Sequence, residues 1–334
     1  MKRSKIAGIG FYVPEKVVTN EVLTQTVNTT NEWIVERTGI QERHYFDYEK
    51  GETNYGFAMK AAQIALDRAQ MTPQDIDLIV YATLSPDYYF PGSGVLLQRE
   101  MGFRNIAAID LRAQCSGFIY GLSIADQFIR TGMYKNVLLV GAEIHSSGLD
   151  YSDAGRHVAV IFGDGAGAAV LTATEEPGRG VLSTHLHSEG KYAEELAVLY
   201  PSSSAKDRND LNELKPGGKF YPVMNGQHVF KHAVTRMPEV VMEALTANGL
   251  TTADIDLLVP HQANARISSA VQQKLGLPEE KVVSNIHRYG NTTAASIPIA
   301  LCEAWEAGRI KDGDLVCLTS FGSGFTWASA LIRW

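Results

Sequence analysis

One segment of this 334-residue chain occurs twice. Residues 65–80, ALDRAQMTPQDIDLIV, align without a gap with residues 244–259, ALTANGLTTADIDLLV, and eight of the 16 positions are identical. Each copy has the pattern of a helix end, a turn containing Thr and Asp, and a short apolar strand. A single pair is too few for a solenoid, which needs about three repeats to bury a core. The repeat therefore predicts two similar halves.

Short apolar runs alternate with segments of helical periodicity along the rest of the chain. The apolar runs are KIAGIGFYV (5–13), NVLLVGAE (136–143), VAVIF (158–162), GAAVL (167–171) and DLVCLTS (314–320). The segments with helical periodicity are 55–69, 116–130, 228–248 and 294–307. This alternation is typical of a layered α/β fold with mostly buried sheets. The polar stretch 191–220 is predicted to be a surface loop.

Composition and charge exclude several function classes. The chain has 30 Lys and Arg against 37 Asp and Glu, a net charge of −7, so nucleic acid is not an expected partner. No apolar stretch approaches the ~20 residues of a membrane span, and the basic N-terminus lacks the pattern of a signal peptide. The three cysteines show no disulfide or zinc spacing. We therefore expect a cytoplasmic protein that holds no metal.

Cys115 has a position that suggests chemistry. It stands where an apolar run ends and a helix begins, and a helix N-terminus favours the reactive thiolate form of cysteine. Cys302, within a helix, and Cys317, within an apolar strand, fit the small buried hydrophobe that most free cysteines are. By position alone, that structural role stays open for Cys115 as well.

Two further polar residues follow predicted strands or precede predicted helices. His261 comes directly after the strand of the second repeat, and α/β folds place their sites at strand ends. With nine histidines in the chain, however, a single one is more often structural. Asn291 lies just before a helix and by itself predicts only a helix cap.

Six segments, in this order, resemble the β-ketoacyl-acyl carrier protein synthase III family. They are EWIVERTGIQERH, DLRAQCSGFIYGLSIADQ, FGDGAGAAVL, LLVPHQANARI, YGNTTAASIPIAL and SFGSGFTWASALIRW, within a resemblance that runs from Lys5 to Trp334. The resemblance implies the α/β thiolase fold, with five layers (α-β-α-β-α) and two similar halves, in agreement with the internal repeat. The first half would be residues 1–174, with the nucleophilic Cys, and the second residues 175–334, with His and Asn.

The resemblance implies that Cys115, His261 and Asn291 form a catalytic triad. The reaction would be the decarboxylative Claisen condensation of an acyl-CoA primer with malonyl-acyl carrier protein through an acyl-cysteine intermediate, which initiates fatty-acid synthesis. Cys115 would be the nucleophile. His261 and Asn291 would stabilise the enolate oxygen formed when CO₂ leaves, and the backbone N–H groups of Cys115 and Ser323 would stabilise the oxyanion. CoA thioesters would be substrates, and no cofactor is implied.

Binding residues follow from the same resemblance. Those implied to bind the adenine and phosphates of CoA are Thr29, Trp33, Arg37 and Arg156, with Trp33 and Arg156 on the two faces of the adenine. Those implied to line the pantetheine tunnel are Gly226, Phe230 and Asn264. Phe90 would reach into the acyl pocket of a partner subunit, which implies a homodimer. Lys231 and Arg266 would dock the acidic carrier protein.

The chain departs from the family pattern at three places. Gln227 stands where the family has Asn, and Ser323 replaces the middle Gly of a glycine-rich turn, although backbone donation survives both changes. The stretch 191–220 is longer than in typical members and could cap or widen the acyl pocket. The sequence therefore does not identify the primer, nor whether the extender arrives on a carrier protein or on CoA.

Alternative functions stay open at this stage. Condensing enzymes or acyltransferases of secondary metabolism, with another primer or acceptor, keep the same Cys, His and Asn. Thiolase itself fits poorly because the C-terminal turn FGSG lacks a second cysteine. GDGAGA at 163–168 resembles a dinucleotide fingerprint, but no helix has room to follow it. A non-catalytic scaffold that binds carrier protein would predict no acylation of Cys115.

Overall fold

The computed structural model describes residues 2–334, and its first 174 residues contain seven strands and six helices. The strands are β1 (Arg3–Tyr12), β2 (Lys16–Thr19), β3 (Glu42–Tyr45), β4 (Leu78–Ala82), β5 (Ala107–Leu111), β6 (Asn136–Glu143) and β7 (Gly165–Thr174). The helices are α1 (Asn20–Leu23), α2 (Asn31–Thr38), α3 (Asn54–Ala69), α4 (Ser93–Glu100), α5 (Gly117–Arg130) and α6 (Arg156–Ala159).

Residues 175–334 add six strands and four helices. The strands are β8 (Gly180–Ser188), β9 (Leu196–Ala197), β10 (Val223–Met224), β11 (Leu257–Pro260), β12 (Leu315–Gly322) and β13 (Thr326–Arg333). The helices are α7 (Gly226–Ala247), α8 (Ala265–Leu275), α9 (Ile286–Tyr289) and α10 (Ser296–Glu306). In the part of the chain that the structure describes, no helix combines the length and apolar character needed to cross a membrane.

The two main sheets have the same topology. The first has the order β1-β7-β6-β4-β5. In it, β7 is antiparallel to both β1 and β6, whereas β4 is parallel to both β6 and β5. The second has the order β8-β13-β12-β11 with matching directions. A parallel bridge from Leu258 to Val282 stands in the place that β5 has in the first sheet. The two halves are therefore alike, as the repeat predicts.

The repeated segment builds the same turn in each half. Thr72 and Asp75 form a capping box before β4, and Thr251 and Asp254 form the same box before β11. In each box the Asp carboxylate accepts from the backbone N–H and the hydroxyl of its Thr. These local bonds fix how the chain leaves α3 or α7 and enters the next strand.

The second aspartate of each repeat joins that strand to its neighbour. Asp77 accepts hydrogen bonds from the N–H groups of Lys135 (3.0 Å) and Asn136 (3.1 Å), where β6 begins. Asp256 accepts from the N–H of Leu315 at 2.7 Å, where β12 begins. The identical residues of the repeat thus set the register of the central parallel pair in both sheets.

Five layers result from the packing of helices on these sheets. Helices α3 and α4 cover the outer face of the first sheet, and α7 covers the outer face of the second, with α8 packed on α7. Helices α5 and α10 lie between the sheets in the largest apolar core, which contains Phe118, Leu122, Ile297 and Leu301. The predicted thiolase-type α-β-α-β-α fold is confirmed, and the central layer holds the segments that carry the candidate site.

One predicted strand is wrong. The run VAVIF at 158–162 begins inside α6, and of its residues Phe162 makes a single bridge to Asn291. Because a short buried apolar run has the same composition in a helix and in a strand, its pattern does not separate the two. The adjoining GDGAGA leads directly into β7 at Gly165, with no helix between them, as expected.

The predicted loop 191–220 is largely exposed, but its first residues are not a surface loop. Tyr192 stacks on Phe325 with ring centroids 5.3 Å apart, and β9 pairs with β10. Farther along, the N–H of Gly217 donates to Asp150 at 2.7 Å. The start of the segment is therefore packed against the rest of the second half.

Candidate active site

Cys115 lies in the 3₁₀ turn Gln114–Ser116, between the end of β5 and the start of α5. Its preceding residue, Gln114, has a φ of 45°, a left-handed conformation that is uncommon outside glycine. Gly322 packs directly against Cys115, since a Cβ added at Gly322 would stand 2.6 Å from Cys115 Cβ. Glycine at 322 is therefore required for the turn after β12 to approach the sulfur.

The environment of the Cys115 thiol differs from the sequence-based expectation. Burial raises its pKa to about 12, and the carboxyl of Glu143 adds to the effect. The backbone amides of Cys115 and Ser323 and the side chain of Thr293 act in the opposite direction, because they hydrogen-bond to the sulfur. Desolvation outweighs the helix N-terminus, so the resting thiol is protonated near neutral pH.

His261 leaves the end of β11 with its ring fixed on one side. Its backbone N–H donates to Thr319 O at 2.8 Å, and its Nδ1 shares a hydrogen bond of 2.6 Å with Ser296 Oγ. Nε2 is buried and has no hydrogen-bond partner among residues 2–334. Burial lowers the pKa of His261 to about 3, so the ring is neutral near neutral pH. A neutral ring with one free nitrogen can serve a ligand in the cavity as a hydrogen-bond partner.

Asn291 is held by its backbone and by one end of its amide. Its N–H donates to Ile161 O at 2.9 Å, and its carbonyl accepts from Gly163 N–H at 3.1 Å. Its Oδ1 accepts from the N–H of Thr293 at 2.9 Å. The NH₂ group is therefore the end of the amide that is available to a ligand.

Cys115, His261 and Asn291 line one cavity of about 140 Å³. Gly226, Phe230 and Asn264, the residues predicted for the pantetheine tunnel, line the same cavity. The remaining lining is apolar and consists of Ile161, Phe162, Leu196, Met224, Val229, Ala233, Met237, Ala263, Ile267, Phe321 and Gly322. Such a cavity suits a flexible chain with a reactive end among a few polar groups.

The residues predicted to bind the adenine and phosphates of CoA do not line this cavity. The guanidinium of Arg37 lies over the Trp33 ring, 5.2 Å from its centroid, and His157 packs against that ring at 5.6 Å. Arg156 donates to Asn28 O at 3.2 Å. The cavity residue Asn264 donates to Arg37 O at 2.9 Å, which connects the two groups. The hydroxyl of Thr29 is buried without a partner.

The other predicted residues lie around the cavity or away from it. Lys231 is exposed on α7, and the guanidinium of Arg266 on α8 lies 5.8 Å from the Phe230 ring centroid. Ser323 donates from its hydroxyl to Leu196 O, which ties the turn after β12 to the start of the 191–220 segment. Phe90 is 78% exposed and does not reach the cavity of its own chain.

Several residues of the site were not predicted from the sequence. Ser296 and Thr293 hold His261 and Asn291, and Glu143 and His145 follow one another closely at the end of β6. Val229, Ala233 and Met237 of α7 also line the cavity and were not predicted, although they recur at helical spacing with the predicted Gly226 and Phe230, and this apolar stripe was an available signal.

Comparison with known proteins identifies the family of the site. The family model for 3-oxoacyl-[acyl-carrier-protein (ACP)] synthase III matches residues 109–190, and the model for its C-terminal part matches residues 245–334. The β-ketoacyl-[acyl-carrier-protein] synthase III of Rhodospirillum centenum is 48% identical over 335 residues, which cover 99% of each chain.

Solved structures agree with this relationship. A 3-oxoacyl-[acyl-carrier-protein] synthase III from Aquifex aeolicus VF5 superposes with a TM-score of 0.90 at 43% identity, covering 99% of this chain and 100% of that one. The priming β-ketosynthase of the R1128 polyketide pathway superposes with a TM-score of 0.89 at 34% identity, covering 98% and 96%.

Proposed function

The chain belongs to the β-ketoacyl-acyl carrier protein synthase III family, and from that premise we propose how its cavity carries out the family's reaction. The chain is an acyltransferase of the condensing type that acts in fatty-acid biosynthesis. Curated relatives at 46–48% identity have the name of the synthase, whereas the polyketide-priming structure is 34% identical. The secondary-metabolism alternative is therefore the weaker one.

The convergence of Cys115, His261 and Asn291 on one cavity carries this proposal. In the first half-reaction the Cys115 sulfur bonds to the carbonyl carbon of an acyl-CoA. The bond from that carbon to the CoA sulfur breaks, and CoA leaves as its thiol with the proton that Cys115 loses. One thioester replaces another, at little cost in free energy. The amides of Cys115 and Ser323 are proposed to donate to the oxyanion, which is supported by their effect on the pKa of the Cys115 sulfur.

In the second half-reaction His261 and Asn291 act on a malonyl thioester. Loss of CO₂ leaves an electron pair that spreads onto the thioester oxygen. A hydroxyl of Ser296 that donates to Nδ1 keeps the His261 proton on Nε2, where it can donate to that oxygen. Asn291 donates from its NH₂ group. The carbanion then bonds to the acyl carbon, and Cys115 leaves as a thiolate that recovers a proton.

CoA is proposed to lie across the group formed by Thr29, Trp33, Arg37 and Arg156. The two arginines offer charge to phosphates, and the Trp33 ring offers a face to the adenine. The hydrogen bond from Asn264 to Arg37 supports a continuous path from this group to the cavity. Lys231 and Arg266 are proposed to dock the carrier protein that brings the malonyl group, because both lie on the helices beside that path.

A homodimer in the cytoplasm is the proposed state of the chain. Phe90 and its neighbours Tyr88 and Tyr89 form an exposed aromatic segment, which suits insertion of Phe90 into a partner's acyl pocket. Among residues 2–334, β5 pairs with β4 alone, so its other edge can pair with a second copy. All three cysteines are free thiols, which fits a reducing compartment.

The proposed division of labour predicts different losses for different variants. His261→Ala and Asn291→Ala should slow release of CO₂ from a malonyl thioester by about 100-fold or more, because each removes an oxyanion donor. Acylation of Cys115 by the primer should change by less than about fivefold. Stopped-flow acylation and CO₂ release, measured on the same preparations, separate the two half-reactions.

The buried Ser329 offers a matched control for these losses. Ser329 lies in β13, and its hydroxyl donates to Val240 O of α7, so Ser329→Ala removes a buried hydrogen bond outside the cavity and should leave both rates unchanged. Equal losses of acylation and decarboxylation in His261→Ala would contradict the assigned roles.

A further inference from the structure

A second buried histidine, His145, has no role in the assigned chemistry. His145 follows β6 directly, and its ring packs on Phe162 with centroids 4.7 Å apart. Its backbone N–H donates to Asp164 at 2.7 Å, and that carboxylate also accepts from the N–H groups of Ser146 (3.0 Å) and Phe46 (2.8 Å). Asp164 belongs to the GDGAGA motif, whose buried carboxylate thus holds His145 in place.

The ring of His145 is directed at Thr293. Its Nε2 lies 2.7 Å from Thr293 Oγ1. A hydrogen bond from the Thr293 side chain is in turn among the influences that lower the pKa of the Cys115 thiol. The turns that contain Cys115 and Thr293 pack against each other. Thr293 has a φ of 49°, rare for a β-branched residue, and its N–H orients Asn291. Strain of this kind is found at functional sites.

The charges around this contact explain why a donor is useful there. The carboxyls of Glu143 and Asp164 face the region from β6 and from the segment before β7, and His261 faces it from the end of β11. Glu143 disfavours a negative charge on the Cys115 sulfur. Burial keeps His145 neutral near neutral pH, because it lowers the pKa to about 3, so His145 acts through a hydrogen bond.

We propose that His145 is a positioning residue for the nucleophile: its Nε2–H donates to the Thr293 hydroxyl, and that hydroxyl donates to the Cys115 sulfur, stabilising the thiolate. The inference rests on the proposed function, in which Cys115 is the nucleophile. It adds a role to a residue that takes no part in the triad. No proton is transferred along these two hydrogen bonds, so no further reactant is required.

The experiment measures the rate of alkylation of Cys115 by iodoacetamide from about pH 6 to pH 10, with the labelled peptide identified by mass. His145→Leu and Thr293→Val should lower the rate about tenfold at every pH in this range, because the range lies below the Cys115 pKa of about 12 and a pKa raised by one unit leaves about a tenth of the thiolate. The double variant should be no slower than Thr293→Val, because both changes break the same chain.

Conservative variants separate hydrogen bonding from packing. His145→Gln keeps an N–H donor near the position of Nε2, and Thr293→Ser keeps the hydroxyl, so both should stay within about twofold of the wild type. His187 lies in β8 and outside the cavity, so His187→Leu is the matched histidine control and should have no effect on the rate. Thermal melting of each variant reports whether it folds.

The results distinguish two failures. A His145→Leu profile that superposes on the wild type, or a His145→Gln profile that matches His145→Leu, would overturn the role of His145 alone. If wild-type Cys115 accepts neither iodoacetamide nor an acyl group, the proposed function fails and this inference fails with it.

Discussion

Glu143 is a carboxyl side chain in a place where charge is costly. It ends β6 in full burial and accepts hydrogen bonds from Ser85 Oγ at 2.5 Å, Leu84 N–H at 3.2 Å and Thr83 Oγ1 at 3.2 Å. Burial nevertheless raises its pKa to about 7. Below that pH the folded protein holds a neutral acid beside Cys115, and above it a buried charge.

Stability should therefore depend on pH through Glu143. The unfolded chain releases this proton near pH 4.5, while the folded chain keeps it until about pH 7. The stabilisation that the bound proton provides is complete below pH 4.5. Above pH 4.5 it decreases by up to about 1.4 kcal/mol per pH unit, and it is lost once the pH has risen through 7. Glu143→Gln has no such proton, so its free energy of unfolding relative to wild type should rise from pH 5 to pH 8.

Urea unfolding of wild type and Glu143→Gln at these two pH values tests the prediction. Glu175→Gln replaces an exposed glutamate and should give a difference from wild type that is the same at both. A pH-independent difference for Glu143→Gln would show that the carboxyl titrates normally in the fold.

At the residue scale the sequence carried a signal for the proposed reactive groups and none for the side chains that support them. Cys115, His261 and Asn291 lie in recognisable segments, and all three line one cavity. The contact of His261 with Ser296 spans 35 positions, and that of His145 with Thr293 spans 148. Such pairs leave no periodic or local signal, because the fold and not the chain brings them together.

Individual elements were predictable where local chemistry determines them. The Thr–Asp turns before β4 and β11 form from residues three apart, and both copies were predicted from the sequence. β6 begins and ends where its apolar run does. VAVIF failed because only tertiary packing decides whether a buried apolar segment of five residues becomes helix or strand.

The helices beside the cavity support a prediction about the carrier protein. Lys231 on α7 and Arg266 on α8 are both exposed, in a chain with a net charge of −7. The double variant Lys231→Glu/Arg266→Glu should raise KM for the carrier-borne extender about tenfold at low salt, with a smaller effect at high salt. Acylation by the CoA primer should be unchanged within about twofold.

Steady-state kinetics at two salt concentrations measure this effect. Lys311→Glu is the matched control, because the exposed Lys311 lies just before the start of β12, while the end of that strand lines the cavity. A KM that stays at the wild-type value in the double variant would remove both residues from the docking surface.

At the scale of the whole molecule, the proposed reaction uses residues of both halves. Cys115 comes from the first sheet's half, while His261 and Asn291 come from the second, and they meet where α5 and α10 fill the space between the sheets. We propose the boundary at residues 174 and 175, since β7 ends at Thr174 and β8 begins at Gly180. The repeat predicted this architecture, although its single pair could not show how the halves face each other.

The proposed dimer predicts a solution mass of twice 36.5 kDa. Light scattering at micromolar concentration should give that value, and a mass of 36.5 kDa would contradict it. Phe90→Ala should keep the dimer and accept longer acyl primers, because it removes a side chain that is 78% exposed in the single chain and is proposed to fill the partner's pocket. An unchanged primer range would place Phe90 outside that pocket.

The central claim is that catalysis proceeds through acyl-Cys115, and mass measurement of the protein after incubation with a panel of acyl-CoA primers tests it most directly. We predict one acyl group per chain, mapped to the peptide with Cys115, present in a Cys302→Ser control and absent in Cys115→Ser. The primer that loads best then identifies the acyl specificity. An acyl group on another residue, or full condensation activity in Cys115→Ser, would contradict the account.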